Sequence, residues 1–231
     1  MLFLDLDEAT SSTDLVLDLG TKDGRKTAEI DADVAAVDLV FAEDRSDELS
    51  YIRGDGTNLP FADNTFDAVY CDQVLEHVKN EEDFISEIAR VLKPNGCLWL
   101  AFPNRYAVNS PHETPWWISL VPKSERWAAL LSEDEASYYI NHEWPVGPTR
   151  ARQVCNKYFE HVEFASLRLR DEYRDWFVGN KRTSVYPPTT SGKSFDKILP
   201  AILAIGHVSL FMYVFERLWP HSEYVCRLPK S

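Results

Sequence analysis

Residues 15–24 read Leu-Val-Leu-Asp-Leu-Gly-Thr-Lys-Asp-Gly, an apolar run that leads into a turn with two glycines. A continuous apolar run of this length is typical of a parallel strand that is buried on both faces. Asp18 lies near the end of the run, and Gly20 and Gly24 follow it. Backbone N–H groups are available at the start of the next element, and glycine lets a ligand approach the main chain closely. The stretch therefore predicts a pocket for a nucleoside with a charged tail.

Apolar runs and helical patterns alternate through the first hundred residues. Residues 81–92 are predicted to form an amphipathic helix, which Pro94-Asn95-Gly96 ends because Gly96 is a favourable residue after a helix. Strands that alternate with helices pair in parallel through right-handed crossovers. The pattern predicts an α/β fold with a Rossmann-like, doubly wound and mostly parallel sheet. The predicted strands are residues 15–19, 34–40, 51–53, 67–71 and 97–102, followed by 161–169 and 224–228 in the second half.

The composition narrows the classes of function. The formal net charge is −13, which argues against a nucleic-acid binder because such a protein needs a basic surface. Residues 1–100 carry 23 acidic and 8 basic side chains, whereas residues 101–231 carry 14 acidic and 16 basic ones. An acidic surface of this kind serves solubility and is also typical of proteins from a high-salt cytoplasm. The four cysteines contain no Cys-x-x-Cys pair, which disfavours a metal site, and the absence of a signal peptide predicts a cytoplasmic protein.

Carboxylates recur at the predicted strand ends. Asp38 lies twenty residues beyond Asp18, at the end of the second strand, where a carboxylate can accept hydrogen bonds from both ribose hydroxyls. Asp55, after the third strand, can accept a hydrogen bond from an adenine amino group. The turn after the first strand lacks the G-x-G-x-x-G spacing of a dinucleotide site, and Asp18 would repel a pyrophosphate. An acid at this place suits a ligand that carries an ammonium group.

At these residues the chain resembles the class I S-adenosylmethionine-dependent methyltransferases, of the methyltransferase type 11 kind. The resemblance covers about residues 14–104 and rests on the order of several motifs: Asp18–Gly24, Asp38, Gly54–Phe61, Phe66–Val69, Leu75–Val78 and Ile88–Gly96. It implies S-adenosyl-L-methionine as the cofactor. The implied contacts are the methionine part for Asp18 and Gly20, the ribose for Asp38, the adenine for Asp55 and Gly56, and the methionine end for Asp72 and Gln73.

The chain departs from this family at Lys22, where the family has the central glycine of the loop that ends at Gly24. A lysine there restricts the closest backbone approach and predicts a lower affinity for the cofactor. An inactive cofactor-binding scaffold is therefore one alternative to an enzyme. We treat residues 1–231 as a single methyltransferase domain in which residues 14–104 form the cofactor-binding core.

Residues 105–150, called the cover segment below, are rich in Pro, Trp, Tyr and His and are predicted to cover the substrate. They loosely resemble methyltransferases of glycan assembly. Arg105 and Tyr106 are the predicted substrate contacts, and His112 and His142, with Glu143, are candidates for a general base. A structural role is expected for His77. The predicted acceptor is a sugar hydroxyl, in particular a hexuronic acid of a lipid-linked N-glycan, and the alternative is a quinone or lipid-like small molecule.

Residues 198–215 contain eighteen residues without a formal charge, within a predicted apolar helical insertion at 195–220. A length of about 27 Å would just cross the hydrocarbon of a bilayer. Three alternatives stay open for this segment: a helix buried in the core or under a partner, a helix on the inner face of a membrane, and a membrane span. A homo-oligomer is compatible with the sequence, since the helix that precedes the first strand in the family is nearly absent here.

Overall fold

The computed structural model describes residues 9–105, 118, 121, 123–164 and 221–230. The strands are β1 (Leu15–Leu19), β2 (Asp33–Asp38), β3 (Ser50–Arg53), β4 (Phe66–Asp72), β5 (Leu92–Pro103), β6 (Phe159–Phe164) and β7 (His221–Pro229). The helices are α1 (Glu81–Val91), α2 (Glu125–Ala128), α3 (Glu133–His142) and α4 (Pro148–Tyr158), and two short 3₁₀ helices span Thr27–Glu29 and Leu75–His77.

The strands form one seven-stranded sheet in the order β3-β2-β1-β4-β5-β7-β6. The first five strands pair in parallel, and β7 runs antiparallel to both β5 and β6. The chain moves outward from β1 to β3 and then returns to build β4 and β5 on the other side of β1. This confirms the predicted doubly wound, mostly parallel sheet. Ligands in such sheets bind outside the carboxyl ends of the strands where the strand order reverses, here between β1 and β4.

The core lies on both faces of this sheet. On one face, α1 buries Phe84, Ile85 and Ile88 against strand residues such as Leu17 and Leu98. On the other face, a second cluster contains Val16, Tyr70, Trp99 and Val225. Burying a large apolar side chain contributes about 1.5–3 kcal/mol, so these two layers hold the strand ends in place.

Helix α1 begins where the side chain of Asn80 accepts hydrogen bonds from the backbone N–H groups of Glu82 and Asp83. It ends at Val91, and Leu92 already pairs with Phe66 in the sheet. Gly96 was expected to follow the helix directly, but it lies inside β5. The register shifts there from Phe66–Leu92 to Ala68–Cys97, so the Pro-Asn-Gly stretch is an irregularity within the strand.

The cover segment contains more helix than its sequence predicts. Helix α3 begins with a capping box in which Ser132 and Glu135 satisfy each other's backbone N–H groups. Ile118, Ala128 and Tyr139 form a small core of their own, separate from the sheet. Residues 106–117, 119–120 and 122 of the segment lie outside the described residues.

The predicted insertion at 195–220 also lies outside the described residues, as do residues 165–169 of the expected strand 161–169. The described part of that strand, β6, begins two residues earlier at Phe159. Among the helices that the structure describes, none has the length and hydropathy that a membrane crossing requires.

Candidate active site

The loop after β1 leaves the sheet through residues with left-handed backbone. The φ angles are +84° at Gly20, +53° at Lys22 and +67° at Gly24. A Cβ atom on Gly20 would lie 2.0 Å from Cγ2 of Val74, in the turn after β4. Glycine is therefore required at position 20 by the packing of this protein's own chain, in addition to any contact with a ligand.

Asp18 is buried within this loop, with 5% of its surface exposed. The hydroxyl of Thr27 donates a hydrogen bond to Oδ2 of Asp18. Burial raises the pKa of this carboxyl, the Thr27 hydrogen bond lowers it, and nearby Asp72 and Asp38 raise it further. A buried carboxyl of this kind gains from a cation brought close to it.

Asp38 joins two loops at the end of β2. Its Oδ2 accepts a hydrogen bond of 2.9 Å from the backbone N–H of Lys22, and its Oδ1 accepts one of 3.1 Å from the N–H of Val40. These bonds fix the orientation of the carboxylate. Because each carboxylate oxygen has two lone pairs, the group can still accept hydrogen bonds from a diol.

The turn after β3 is held in a similar way. Oδ1 of Asp55 accepts hydrogen bonds from the N–H of Thr57 at 2.9 Å and from its hydroxyl at 2.8 Å. A Cβ on Gly56 would lie 2.3 Å from Cε2 of Phe84 in α1. The lack of a side chain at Gly56 therefore lets the helix pack directly on this turn.

The turn after β4 contains the left-handed residue Gln73, with φ of +61°. Its backbone N–H donates to the carbonyl of Ala101 in β5 at 2.9 Å. A residue other than glycine in this conformation is strained, and such strain is concentrated at functional sites. The turn directs Asp72 and Gln73 toward the loop that follows β1.

All eight predicted cofactor residues line one cavity of about 1280 Å³, called the strand-end cavity below: Asp18, Gly20, Gly24, Asp38, Asp55, Gly56, Asp72 and Gln73. The described lining carries six carboxylates, from the aspartates at positions 18, 23, 38, 55, 72 and 83, and the three lysines at 22, 26 and 79. Such a cavity favours a ligand with a positive charge and disfavours a pyrophosphate.

The predicted acceptor residues are less well placed. The side chain of His142 is exposed, and it is not part of the described cavity lining. Arg105 is also outside that lining, and its guanidinium donates a hydrogen bond of 3.3 Å to the carbonyl of Val121 within the cover segment. His112 and Tyr106 lie outside the described residues.

The structure instead brings His77 into the cavity lining. Its Nδ1 lies 2.7 Å from the carbonyl oxygen of His142. A carbonyl only accepts hydrogen bonds, so Nδ1 carries a proton, and Nε2 is the ring nitrogen that can accept one when the ring is neutral. The sequence indicated a structural role for His77, as part of the Glu-His pair at a helix start, and no local pattern links it to a residue 65 positions away.

Glu76, next to His77, is 2% exposed. Burial raises the pKa of its carboxyl to about 8, and the charges of Asp72 and Glu143 raise it in the same direction, so Glu76 keeps its proton at neutral pH. The backbone carbonyl of Glu76 accepts a 2.6 Å hydrogen bond from the N–H of Trp144. The end of the cover segment is thus attached to the turn that lines the cavity.

Lys123 belongs to the same junction. Its Nζ donates to the carbonyl of Glu143 at 2.7 Å and lies 3.6 Å from the ring centroid of Trp144. Burial lowers the pKa of Lys123 to about 8, although the charge of Glu143 raises it. Among the described residues, no group of three or more His, Cys, Asp or Glu side chains is arranged to hold a metal ion.

The chain resembles known proteins in both sequence and fold. Residues 13–100 match a family described as a methyltransferase domain. Demethylmenaquinone methyltransferase of Corynebacterium kroppenstedtii is 32% identical over 164 residues, which cover 66% of this chain and 70% of that protein. A sterol 24-C-methyltransferase of Gibberella zeae is 48% identical over 54 residues, or 23% of this chain.

Some of these matches are short. The matched part spans 14% of the sterol 24-C-methyltransferase and 37% of the demethylmenaquinone methyltransferase of Paenarthrobacter aurescens. Among solved structures, phosphoethanolamine N-methyltransferase 2 of Haemonchus contortus, in complex with S-adenosyl-L-methionine, covers 99% of this chain with a TM-score of 0.55. It is 19% identical, and this chain covers 51% of it. A geranyl diphosphate methyltransferase is 12% identical, with a TM-score of 0.53 over 99% of this chain and 83% of its own. At these identities, the two structures show a shared fold.

Proposed function

Because the chain belongs to the S-adenosylmethionine-dependent methyltransferases, we propose that it transfers the methyl group of this cofactor to a lipid-like small molecule. The observation that supports the transfer most directly is the strand-end cavity. It gathers all eight residues that the sequence assigns to the cofactor, although they come from four different strand ends.

The proposed contacts follow the order of the strands. Asp18 and Asp72 would hold the cofactor's sulfonium and ammonium groups, and Asp38 would accept hydrogen bonds from its ribose hydroxyls. Asp55 and Gly56 would hold the adenine. Methyl transfer is an in-line displacement, so the protein contributes mainly by positioning both reactants and excluding water.

The charge of the cavity bears on the acceptor. S-adenosylmethionine has two positive groups and one carboxylate, so its net charge of about +1 leaves the described lining with a surplus of acid. This surplus disfavours an anionic acceptor such as a hexuronic acid and supports a neutral one. The names of the relatives point the same way, since they specify a sterol and demethylmenaquinone. The sugar prediction also depends on Tyr106 and His112, which lie outside the described residues.

We further propose His77 as the general base for an acceptor that carries a hydroxyl group. The acceptor's proton moves to Nε2 of His77, while an electron pair of the acceptor forms the new bond to the methyl carbon. The bond between the methyl carbon and sulfur breaks, and its electron pair stays on sulfur, so the sulfonium becomes a neutral thioether. The hydrogen bond from Nδ1 to the carbonyl of His142 holds the ring for this step.

The proposal includes a contact of residues 198–215 with the inner face of a membrane, which would suit a lipid-like acceptor. It also includes a cytoplasmic location and a homo-oligomer. An acceptor presented at a membrane surface would reach a protein held there more readily than one in bulk solution. Sedimentation of the full chain with phospholipid vesicles tests this contact.

Calorimetry with S-adenosylmethionine and S-adenosylhomocysteine tests the cofactor site. The wild-type protein is expected to bind both, and Asp38→Asn to bind each about tenfold more weakly, because a charged hydrogen-bond acceptor for the ribose is replaced by a neutral amide. Asp47→Asn makes the same chemical change at an exposed aspartate outside the described cavity lining and serves as the control. If wild type bound neither ligand, the proposed function would be wrong.

Transfer of a labelled methyl group tests the acceptor. A reduced demethylated quinone and a glucuronic acid-bearing lipid are offered separately, and the label is expected in the quinone. His77→Gln should lower the turnover rate constant at least about a hundredfold while leaving cofactor affinity within about threefold, since a base acts on the transition state. Labelling of the uronic acid lipid would overturn the proposed acceptor class and leave the methyltransferase proposal intact.

A further inference from the structure

An ion pair joins two residues that line the strand-end cavity. Nζ of Lys26 donates to Oδ2 of Asp72 at 2.9 Å, joining the loop after β1 to the end of β4. Both residues line the cavity. The side chain of Lys26 is 68% exposed and that of Asp72 is 21% exposed. The lysine can therefore leave the carboxylate for water without losing packing in the core.

The carboxylate of Asp72 has a second hydrogen-bond donor. The hydroxyl of Tyr70 donates to the same oxygen at 3.2 Å. Tyr70 is buried, and both its burial and the charge of Asp72 raise the pKa of its phenol, so the hydroxyl keeps its proton. Tyr70 would continue to orient Asp72 after Lys26 had left.

Asp72 is also the more accessible of the two carboxylates proposed to face the methionine part. Asp18 is 5% exposed and receives the hydroxyl of Thr27. The ammonium group of an incoming ligand therefore reaches Asp72 first. The carboxylate of Asp72 is already paired with the ammonium group of Lys26.

We propose that Lys26 sets the affinity for the cofactor by competing with its amino group for Asp72. This inference rests on the proposed function, because it assumes that S-adenosylmethionine binds in the strand-end cavity. Binding exchanges one ammonium on Asp72 for another, so the net electrostatic gain is smaller than at a vacant carboxylate. The cofactor and its demethylated product carry the same amino group, so the competition weakens both by the same factor.

The test compares Lys26→Met with wild type by calorimetry on the full chain, using three ligands. S-adenosylmethionine and S-adenosylhomocysteine should each bind about three- to fivefold more tightly to the variant, the range expected for release of an exposed ion pair. The third ligand, 5′-methylthioadenosine, has the nucleoside and the sulfur but lacks the α-amino and α-carboxyl groups of the methionine part. Its affinity should change by less than about twofold, because it does not displace Lys26.

Lys22→Met is the matched control. It removes the same charge from the same loop and the same cavity, but no ion pair joins Lys22 to Asp72 among the described residues. Any tightening that both variants share reports the long-range charge of the cavity and not the competition.

Three results would overturn the exchange while leaving the proposed function standing. Weaker binding of both amino acid-bearing ligands to Lys26→Met would mean that Lys26 instead holds their carboxylate. Unchanged binding would mean that the ion pair does not compete. Equal tightening of 5′-methylthioadenosine, or of all ligands in Lys22→Met, would show a general charge effect. A wild-type protein that bound no S-adenosylmethionine would contradict the proposed function itself.

Discussion

The strand ends of β1–β4 and the cover segment meet at the turn 75–78, but they are built in different ways. The strand ends are fixed by the sheet and by close packing at Gly20 and Gly56. The cover segment has a small core of its own, and two hydrogen bonds, His77 to His142 and Trp144 to Glu76, join it to this turn. Val146 packs in the main core, and Nε of Arg150 donates to Glu81 of α1 at 2.6 Å. Every described residue of the cavity lining lies between Asp18 and Phe84. The proposed cofactor site is thus part of the sheet, whereas the proposed acceptor side depends on a segment that has a small core of its own.

The largest effect on stability is expected at Gly20, in the strand-end region. Gly20→Ala places a Cβ at 2.0 Å from Cγ2 of Val74 and forces alanine to a φ of +84°. Overpacking and backbone strain together should lower the free energy of unfolding by on the order of 3–4 kcal/mol, measured by urea denaturation.

Gly54→Ala is the control for this change, since its Cβ would lie 3.2 Å from Cγ1 of Val37, at a position without a positive φ. It should cost less than about 1 kcal/mol. The double variant Gly20→Ala/Val74→Ala should recover part of the loss. Equal costs for the two alanine variants would show that the turn after β4 does not constrain the loop after β1.

The second prediction concerns the junction between the two regions. The pKa of Glu76 is raised to about 8 in the folded protein from an ordinary value of 4.5. The folded state therefore holds a proton that the unfolded state has lost between these two pH values, and stability falls as pH rises from about 4.5 to about 8. Glu76→Gln removes this loss and should be more stable than wild type at pH 9, by on the order of 2–3 kcal/mol.

Urea denaturation of both proteins at pH 5 and pH 9 measures the effect of Glu76→Gln. Glu48→Gln, at an exposed position, is the control and should follow the pH dependence of wild type. If wild type and Glu76→Gln lost the same stability between pH 5 and pH 9, the junction would not contain a protonated carboxyl.

A smaller effect is expected within the cover segment. Ser132→Ala removes the capping box of α3 and should cost about 1 kcal/mol. Because this segment has its own core, hydrogen exchange should accelerate in residues 133–142 and stay unchanged in β1 and β4. Ser137→Ala, at an exposed position inside the helix, is the control. Faster exchange in β1 as well would show that the two regions unfold together.

The smallest effect is expected at Lys22. Lysine adopts its φ of +53° at a modest cost, and glycine would relieve that cost while adding entropy to the unfolded chain. Lys22→Gly should therefore change the free energy of unfolding by less than about 1 kcal/mol. Lys22→Val should destabilise by more, since a β-branched residue tolerates this conformation poorly. Thermal denaturation of both variants distinguishes these outcomes.

The sequence predicted the strand-end region closely. The boundaries of β1 were correct, and those of β2, β3 and β4 were correct within two residues, because buried parallel strands give continuous apolar runs. The eight predicted cofactor residues lie together because parallel strands carry their carboxyl ends to one edge of the sheet. The strand irregularity at Pro94–Gly96 was missed, since a Pro-Asn-Gly stretch is equally typical of a helix end.

The cover segment was predicted less well. Helix α3 was missed although Ser132 and Glu135 form a capping-box pattern, a signal that could have found it. Of the two candidate catalytic histidines, the structure keeps the side chain of His142 out of the described cavity lining and uses its backbone to hold His77. That His112 or His142 acts as the base stays a prediction from the sequence.

By itself, the sequence determined the class of the sheet and the positions at which aspartate and glycine residues follow its strands. Both follow from local patterns, the apolar run and the residues directly after it. Only the tertiary structure decided which polar groups lie near one another: Lys26 and Asp72, Glu76 and Glu143, and His77 and the carbonyl of His142. These pairs join residues that are 46 to 67 positions apart. These pairings and the raised pKa of Glu76 depend on burial and distance, which no local pattern records.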